Sequence, residues 1–145
     1  MVGVAAGLAK VGFKPIVYGL AAFIPIRVLE QIKLDVAHDN LQIIFIGDGA
    51  SLVYSTLGTS HQAAEDVASL RSIPNIAIFS PADRFELQVC MNIARALNGP
   101  SYIRIGKSDL GDIHGSLPDF ELGELIHITK NKSPSKLTFV ATGSL

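Results

Sequence analysis

The stretch from Tyr54 to Asp83 reads YSTLGTSHQAAEDVASLRSIPNIAIFSPAD, and it holds a loop, a histidine, a helix pattern and a strand in close succession. Leu57-Gly58-Thr59-Ser60 is small and polar apart from its leucine, and it delivers His61 to the start of an amphipathic pattern in which Val67 and Leu70 face inward. Loop-to-helix junctions are where binding and catalytic groups concentrate. Thr59 and Gln62 stand in the T-x-x-Q relation of a capping box, which predicts that the backbone turns helical beside His61. The imidazole would then lie next to unsatisfied backbone N–H groups, a setting that suits an anionic or hydroxylated ligand. The residues alone leave two readings open: a ligand-facing histidine, or a bystander next to a helix cap.

Working outward, Val4, Leu8 and Val11 share a helical face from Val2 to Val11, and Gly12 closes it. Lys14 to Tyr18 reads as a short strand ending at Gly19, and Leu20 to Phe23 as an apolar loop. A second helix is predicted from Pro25, a favourable first-turn residue, to Asn40, with Ile26, Leu29, Ile32 or Lys33, and Val36 forming the core face. Leu41 to Ile46 is an apolar run with one Gln, the pattern of a strand covered on both faces. Asn75 to Phe79 is another short strand, Pro81-Ala82-Asp83 caps a helix from Arg84 to Leu97, Asn98-Gly99-Pro100 breaks it, and Ser101 to Ile105 is a further strand. Repeated βα steps predict an α/β fold, a parallel sheet sandwiched by helices. Beyond Lys107 the sequence turns rich in Gly, Ser, Asp and Pro and reads as a linker, with a short strand within Glu121 to Thr129. Leu137 to Gly143 then reads as a buried strand that opens another domain, so the chain is expected to be truncated at both ends.

Composition narrows the function. A chain that is 48% hydrophobic and 17% charged, with mean hydropathy +0.38, is globular rather than disordered. A net charge of -1 with no basic run excludes a nucleic-acid footprint. No apolar run reaches the roughly 18 residues of a membrane span, and the first residues lack a basic lead, so a cytoplasmic protein is expected. Cys90, the lone cysteine, falls at an apolar helical position and reads as a buried structural thiol.

Ligands of parallel sheets bind at the carboxyl ends of the strands, which selects His61, Asp48, Arg104 and Lys107 as polar candidates. Gly47-Asp48-Gly49 admits a cation or diphosphate reading, but without a second ligand or a phosphate-loop motif it reads as an ordinary tight turn. His61 and Glu65 are an i, i+4 pair lacking a third ligand, and no metal site is expected. Arg104 and Lys107 flank Gly106, where a cationic pair suits a substrate phosphate. His38, His114 and His127 receive no role.

The segments MVGVAAGLA, KPIVYGLAAFIPIRVLEQIKLD, GTSHQAAEDVASLRSIPNIAIFSPAD and GPSYIRIGK together resemble the pyrimidine-binding domain of transketolases, especially the separately encoded carboxy-terminal subunits. The resemblance covers residues 1–110, with 111–136 as a linker, and FVATGSL within 137–145 is similar to the first strand of the third transketolase domain. It implies a thiamine diphosphate enzyme that transfers a two-carbon ketol unit between sugar phosphates. The diphosphate, with Mg2+ or Ca2+, would be held by a partner domain or subunit, in a homodimer or heterotetramer. Phe23 matches an aromatic residue of the pyrimidine pocket and Leu20 takes the place of another. His61 matches a histidine that contacts substrate hydroxyls, Lys107 falls where the family has an arginine for the substrate phosphate, and Arg104 is a neighbouring candidate. The family's catalytic glutamate lies just before the A-A-G-L-A helix, ahead of Met1 in this numbering. Leu57 replaces an acidic residue, and the G-D-G of the family belongs to the other domain. Two alternatives share the scaffold: another thiamine enzyme, such as deoxyxylulose phosphate synthase or the β subunit of a 2-oxoacid dehydrogenase, or a non-catalytic assembly subunit.

Overall fold

The computed structural model describes residues 1–106, 111–129 and 136–143. Four parallel strands, β1 (Ile16–Leu20), β2 (Ile44–Asp48), β3 (Ala77–Phe79) and β4 (Ser101–Ile105), form one sheet in the order β1-β2-β4-β3. In register, Val17 lies beside Phe45, Phe45 beside Tyr102 and Tyr102 beside Ile78. That row packs on one face with Val2, Ala5, Ile32, Val36 and Leu70 from the helices α1 (Val2–Lys10) and α4 (Asp66–Arg71) and from the segment after β1. The residues next to that row along each strand, Ile44, Ile103 and Phe79, pack on the other face with Cys90 and Ala94 of α5 (Arg84–Ala96). Alternate residues thus serve opposite cores, which is why the strands read as continuous apolar runs. This is the predicted helix-sandwiched parallel sheet. Burial pushes the Cys90 thiol up to about 11, as befits a structural residue.

The second helix departs from expectation. In place of one helix from Pro25 to Asn40 there is α2 (Ile24–Arg27), a break at Val28, α3 (Leu29–Gln31) and a wide π segment over Ile32–Ala37. Hydrogen bonds there run five residues back, from His38 N–H to Lys33 O and from Leu41 N–H to Val36 O. The wider turn lets residues four and five positions on flank Ile32, so Ile32, Val36 and Ala37 are all fully buried. Strand β2 then starts at Ile44 rather than Leu41. No strand forms within 121–129 or 136–143 among the described residues.

Helix α5 begins as predicted. Asp83 caps it by accepting the Glu86 N–H at 2.9 Å, and Glu86 Oε2 accepts the Ala82 N–H at 2.8 Å. The other Asp83 oxygen accepts the N–H groups of Ile113 and His114, His114 Nε2 lies 2.8 Å from Glu86 Oε1, and Arg84 pairs with Asp112. The segment after β4 is thereby tied to the start of α5, and Phe120 packs against the second core. Burial alone would push the Asp83 carboxyl up, but the three N–H bonds and the nearby His114 outweigh it and hold the group below the usual carboxylate range. A depressed folded-state value stabilises the fold above the ordinary value near 3.8 and the effect is lost as pH falls through the folded value. Asp83→Ala is expected to cost about 1–2 kcal/mol at neutral pH, and the gap from wild type in urea unfolding should close below about pH 4. Among the described residues no helix is long and apolar enough to cross a membrane.

Candidate functional site

The carboxyl ends of β1, β2 and β4 meet where the chain turns three times. After β1, Phe23 N–H bonds back to Leu20 O at 2.9 Å, and Ala21 N–H bonds to Asp48 O at 2.7 Å. After β2, Ala50 N–H bonds to Ile105 O, and Ser51 and Ala63 form an antiparallel bridge, N–H to O in both directions at 3.2 and 2.9 Å. Ala21, Ala50 and Ala63 are buried together beneath these turns. Their small size lets the loops close over the strand ends.

The bridge explains why the predicted capping box does not form. With Ala63 held against Ser51, the backbone does not turn helical again until Asp66, and Thr59 and Ser60 instead lie in a 3-10 segment, Ser55–Ser60, that is kinked at Gly58. His61 follows that segment and stands five residues ahead of α4. Its ring is half-buried, edge-on to Phe23 with centroids 5.2 Å apart and to Tyr54 at 6.3 Å. Ser60 Oγ lies 3.0 Å from both Leu57 O and His61 Nδ1. A hydroxyl has one proton, and the carbonyl can only accept, so Ser60 donates to Leu57 O and accepts from the Nδ1–H of His61. Neutral His61 is thereby the Nδ1–H tautomer, and Nε2 keeps its lone pair. That nitrogen can accept a proton or a hydrogen bond from a hydroxyl.

The structure brings together His61 and Phe23, which sequence reasoning named separately, and adds two residues it did not name. Tyr54 packs beside His61, and the Arg27 guanidinium sits 4.2 Å from the Phe23 centroid. Arg27 is the last residue of α2, one turn after Phe23 and just before the break at Val28. Leu20 is half-buried at the end of β1, in the same turn as Phe23. Leu57 is exposed in the 3-10 segment.

Arg104 is not poised as an open cation. Its Nε donates to Asp66 Oδ2 at 3.0 Å and its Nη2 to Ala63 O at 3.1 Å. Tyr102 Oη donates to the same Asp66 oxygen at 2.8 Å. Burial first, and then the Asp66 charge and hydrogen bond, push the Tyr102 hydroxyl far above its ordinary range. Lys107 lies outside the described residues.

Gly47-Asp48-Gly49 is not the tight turn the sequence suggests, because Gly47 and Asp48 belong to β2 and Leu20 pairs with Asp48 in register. Asp48 is buried and Oδ2 accepts from Tyr18 Oη at 2.6 Å. Each glycine answers a steric demand. A side chain at Gly47 would meet Tyr102, and one at Gly49, whose φ is +74°, would meet Tyr54. Among the described residues no three His, Cys, Asp or Glu side chains converge on a metal position.

Comparison with known proteins gives a consistent picture. The family described as transketolase, pyrimidine binding domain, matches residues 1–112. The 6-deoxy-6-sulfo-D-fructose transketolase subunit of Clostridium sp. (strain MSTE9) is 32% identical over 143 residues, which is 99% of this chain and 44% of that protein. The 1-deoxy-D-xylulose-5-phosphate synthase of Acinetobacter baumannii (strain AYE) is 35% identical over 147 residues, 99% of this chain and 23% of that protein. A split-gene transketolase, solved as an inactive β4 tetramer, superposes with a TM-score of 0.73 at 34% identity, covering 84% of this chain and 39% of that one. The chain thus spans less than half the length of each of these relatives.

Proposed function

We propose a function from a firm premise: this chain belongs to the transketolase pyrimidine-binding domain family. It acts as part of a thiamine diphosphate-dependent, transketolase-like transferase that moves a two-carbon ketol unit between sugar phosphates. Residues 1–110 supply the pyrimidine-side half of the active site, in a cytoplasmic enzyme, and residues 111–136 are the linker that follows them in sequence. The observation that carries this reading is the pairing of Phe23 with His61 at the carboxyl edge of the sheet, one an apolar aromatic and the other a histidine with an available Nε2.

Phe23 and Leu20 fit the wall of an aromatic heterocycle. They share one turn at the end of β1, where Arg27 lies over the Phe23 ring, and a ligand heterocycle would pack against this apolar wall. When bound, the cofactor supplies carbanion stabilisation at its thiazolium ring. The likeness to transketolase subunits supports placing the diphosphate and its metal ion on a partner subunit or domain. His61 Nε2 hydrogen-bonds a sugar hydroxyl and exchanges a proton with it, while Ser60 holds the ring in the required tautomer. Lys107 takes the substrate phosphate. Exposed apolar side chains support a partner: Val4 and Leu8 of α1, Met1 and Val11 at its two ends, Phe13 between α1 and β1, and Ile16 and Tyr18 of the edge strand β1 are all exposed.

The test combines the full-length gene product that carries this chain with its diphosphate-binding partner, thiamine diphosphate, Mg2+ and a ketose phosphate. Cofactor-dependent ketol transfer is expected, and His61→Ala should lower kcat/KM about 100-fold with the cofactor affinity unchanged. An assembled pair that binds no thiamine diphosphate by calorimetry would sink the reading. The similarity to deoxyxylulose phosphate synthase favours one second reading, with pyruvate as the two-carbon donor. Product analysis with pyruvate against a ketose phosphate separates the two.

A further inference from the structure

We propose that Asp66 and Arg104 form a brace that sets the position of His61, and that Arg104 is a positioning residue rather than a ligand for the substrate phosphate. The assignment rests on the reading that His61 faces substrate. Asp66 is fully buried, with its side chain 1% exposed, and its Oδ1 has no partner. All of its hydrogen bonding goes through Oδ2, to Tyr102 Oη and Arg104 Nε. A buried carboxylate needs a cation, and the Arg104 guanidinium is the one in contact with it. Drawing that guanidinium away to a phosphate would leave Asp66 uncompensated in the core. Arg104 is therefore committed before any substrate arrives.

What the commitment achieves follows from where the bonds fall. The Arg104 Nη2 donates to Ala63 O, which also accepts the Ser51 N–H, and Ala63 itself is buried. Strand β4 thus grips the segment after His61 at two points, the carbonyl two residues on and the carboxylate five residues on. The bridge to Ser51 transmits the same constraint to the far side of the loop, where Tyr54 meets the imidazole. With both flanks fixed, the His61 ring is held edge-on to Phe23 and Tyr54 rather than left free on a loop.

Nuclear magnetic resonance of the chain, with His61 assigned through His61→Gln, tests this without cofactor. In the wild-type protein, millimolar inorganic phosphate is expected to leave the Arg104 Nε–Hε resonance in place; a phosphate-dependent shift overturns the proposal. In Asp66→Asn and Arg104→Gln the ring protons of His61 should lose their ring-current displacement, while Arg104→Lys, which keeps a cation opposite Asp66, should restore much of it. Unmoved His61 signals in a folded Asp66→Asn or Arg104→Gln protein also overturn it. In the assembled enzyme Arg104→Lys is expected to lower kcat about tenfold with KM for the phosphorylated substrate within about twofold, whereas a phosphate ligand would act on KM. A wild-type assembly with no ketol transfer would count against the proposed function alone, because the resonance measurements still decide the brace.

Discussion

Gly47→Ala is expected to destabilise the protein by about 3–5 kcal/mol, read as a fall in the urea midpoint with an unchanged slope. The new methyl group would press on the Tyr102 hydroxyl and come within 2.7 and 2.8 Å of the ring carbons Cε2 and Cζ. A flexible neighbour would swing aside, but Tyr102 is fully buried between β2 and β3, and its hydroxyl is held by an aspartate that is itself held by Arg104. Relief requires a shift of β2 against β4, and that shift also breaks the bond from Tyr102 to Asp66. Overpacking of a dense core typically costs about 1–3 kcal/mol, and a hydrogen bond to a charged group is worth about 1.5–3 kcal/mol. Against a total stability of about 5–15 kcal/mol the sum is severe. The same substitution at Gly3, in α1 with nothing within 4 Å, is the control, and there it should gain about 0.5–1 kcal/mol from helix propensity. A small equal loss at both positions would show that the Tyr102 contact is not the reason for Gly47.

That pair of glycines marks where sequence reading stops. Local patterns carried most of the fold: Ser101 to Ile105 forms β4 at its predicted limits, and Asp83 opens α5 as its capping position implied. Both depend on residues within a few positions of one another. Gly47 does not, because its reason is a tyrosine on the neighbouring strand, 55 residues away. The sequence triplet therefore suggested a turn or a diphosphate contact when its first member answers to packing. The break after Arg27 escaped for a related reason, since apolar spacing of three, four and five residues looks alike until the core decides which turn width buries Ile32, Val36 and Ala37 together. At the candidate site, the sequence named Phe23 and His61 one by one, His61 by its place at a loop-to-helix junction and Phe23 by resemblance. Their contact, and the tautomer set by Ser60, needed the Ser51–Ala63 bridge that no local pattern announces.

Arg104→Ala is expected to cost about 3–5 kcal/mol, as much as Gly47→Ala, and for an electrostatic rather than a steric reason. The side chain of Arg104 is 16% exposed and that of Asp66 is 1% exposed, so the pair is asymmetric: the cation borders solvent while the anion does not. Removing the guanidinium leaves the carboxylate with only the Tyr102 hydroxyl, its second oxygen already without a partner, and it strips a donor from the buried Ala63 carbonyl. Water reaching through the vacated volume would recover part of this loss, which places the effect toward the lower end of that range. The loss should reverse if the whole network is replaced instead of half of it. In the triple variant Asp66→Leu, Tyr102→Phe, Arg104→Met none of the network's own charges or hydroxyls is left behind unsatisfied, and apolar replacement of buried ion pairs is often neutral or stabilising. Urea unfolding of the single and triple variants checks both halves. The triple variant should be at least as stable as wild type within about 1 kcal/mol, yet the His61 segment has then lost the grip of β4. A stable protein with a poorly placed histidine would separate what the ion pair does for the candidate site from what it does for the fold, whereas a triple variant as unstable as Arg104→Ala would show that packing around Arg104, and not the buried carboxylate, sets the cost.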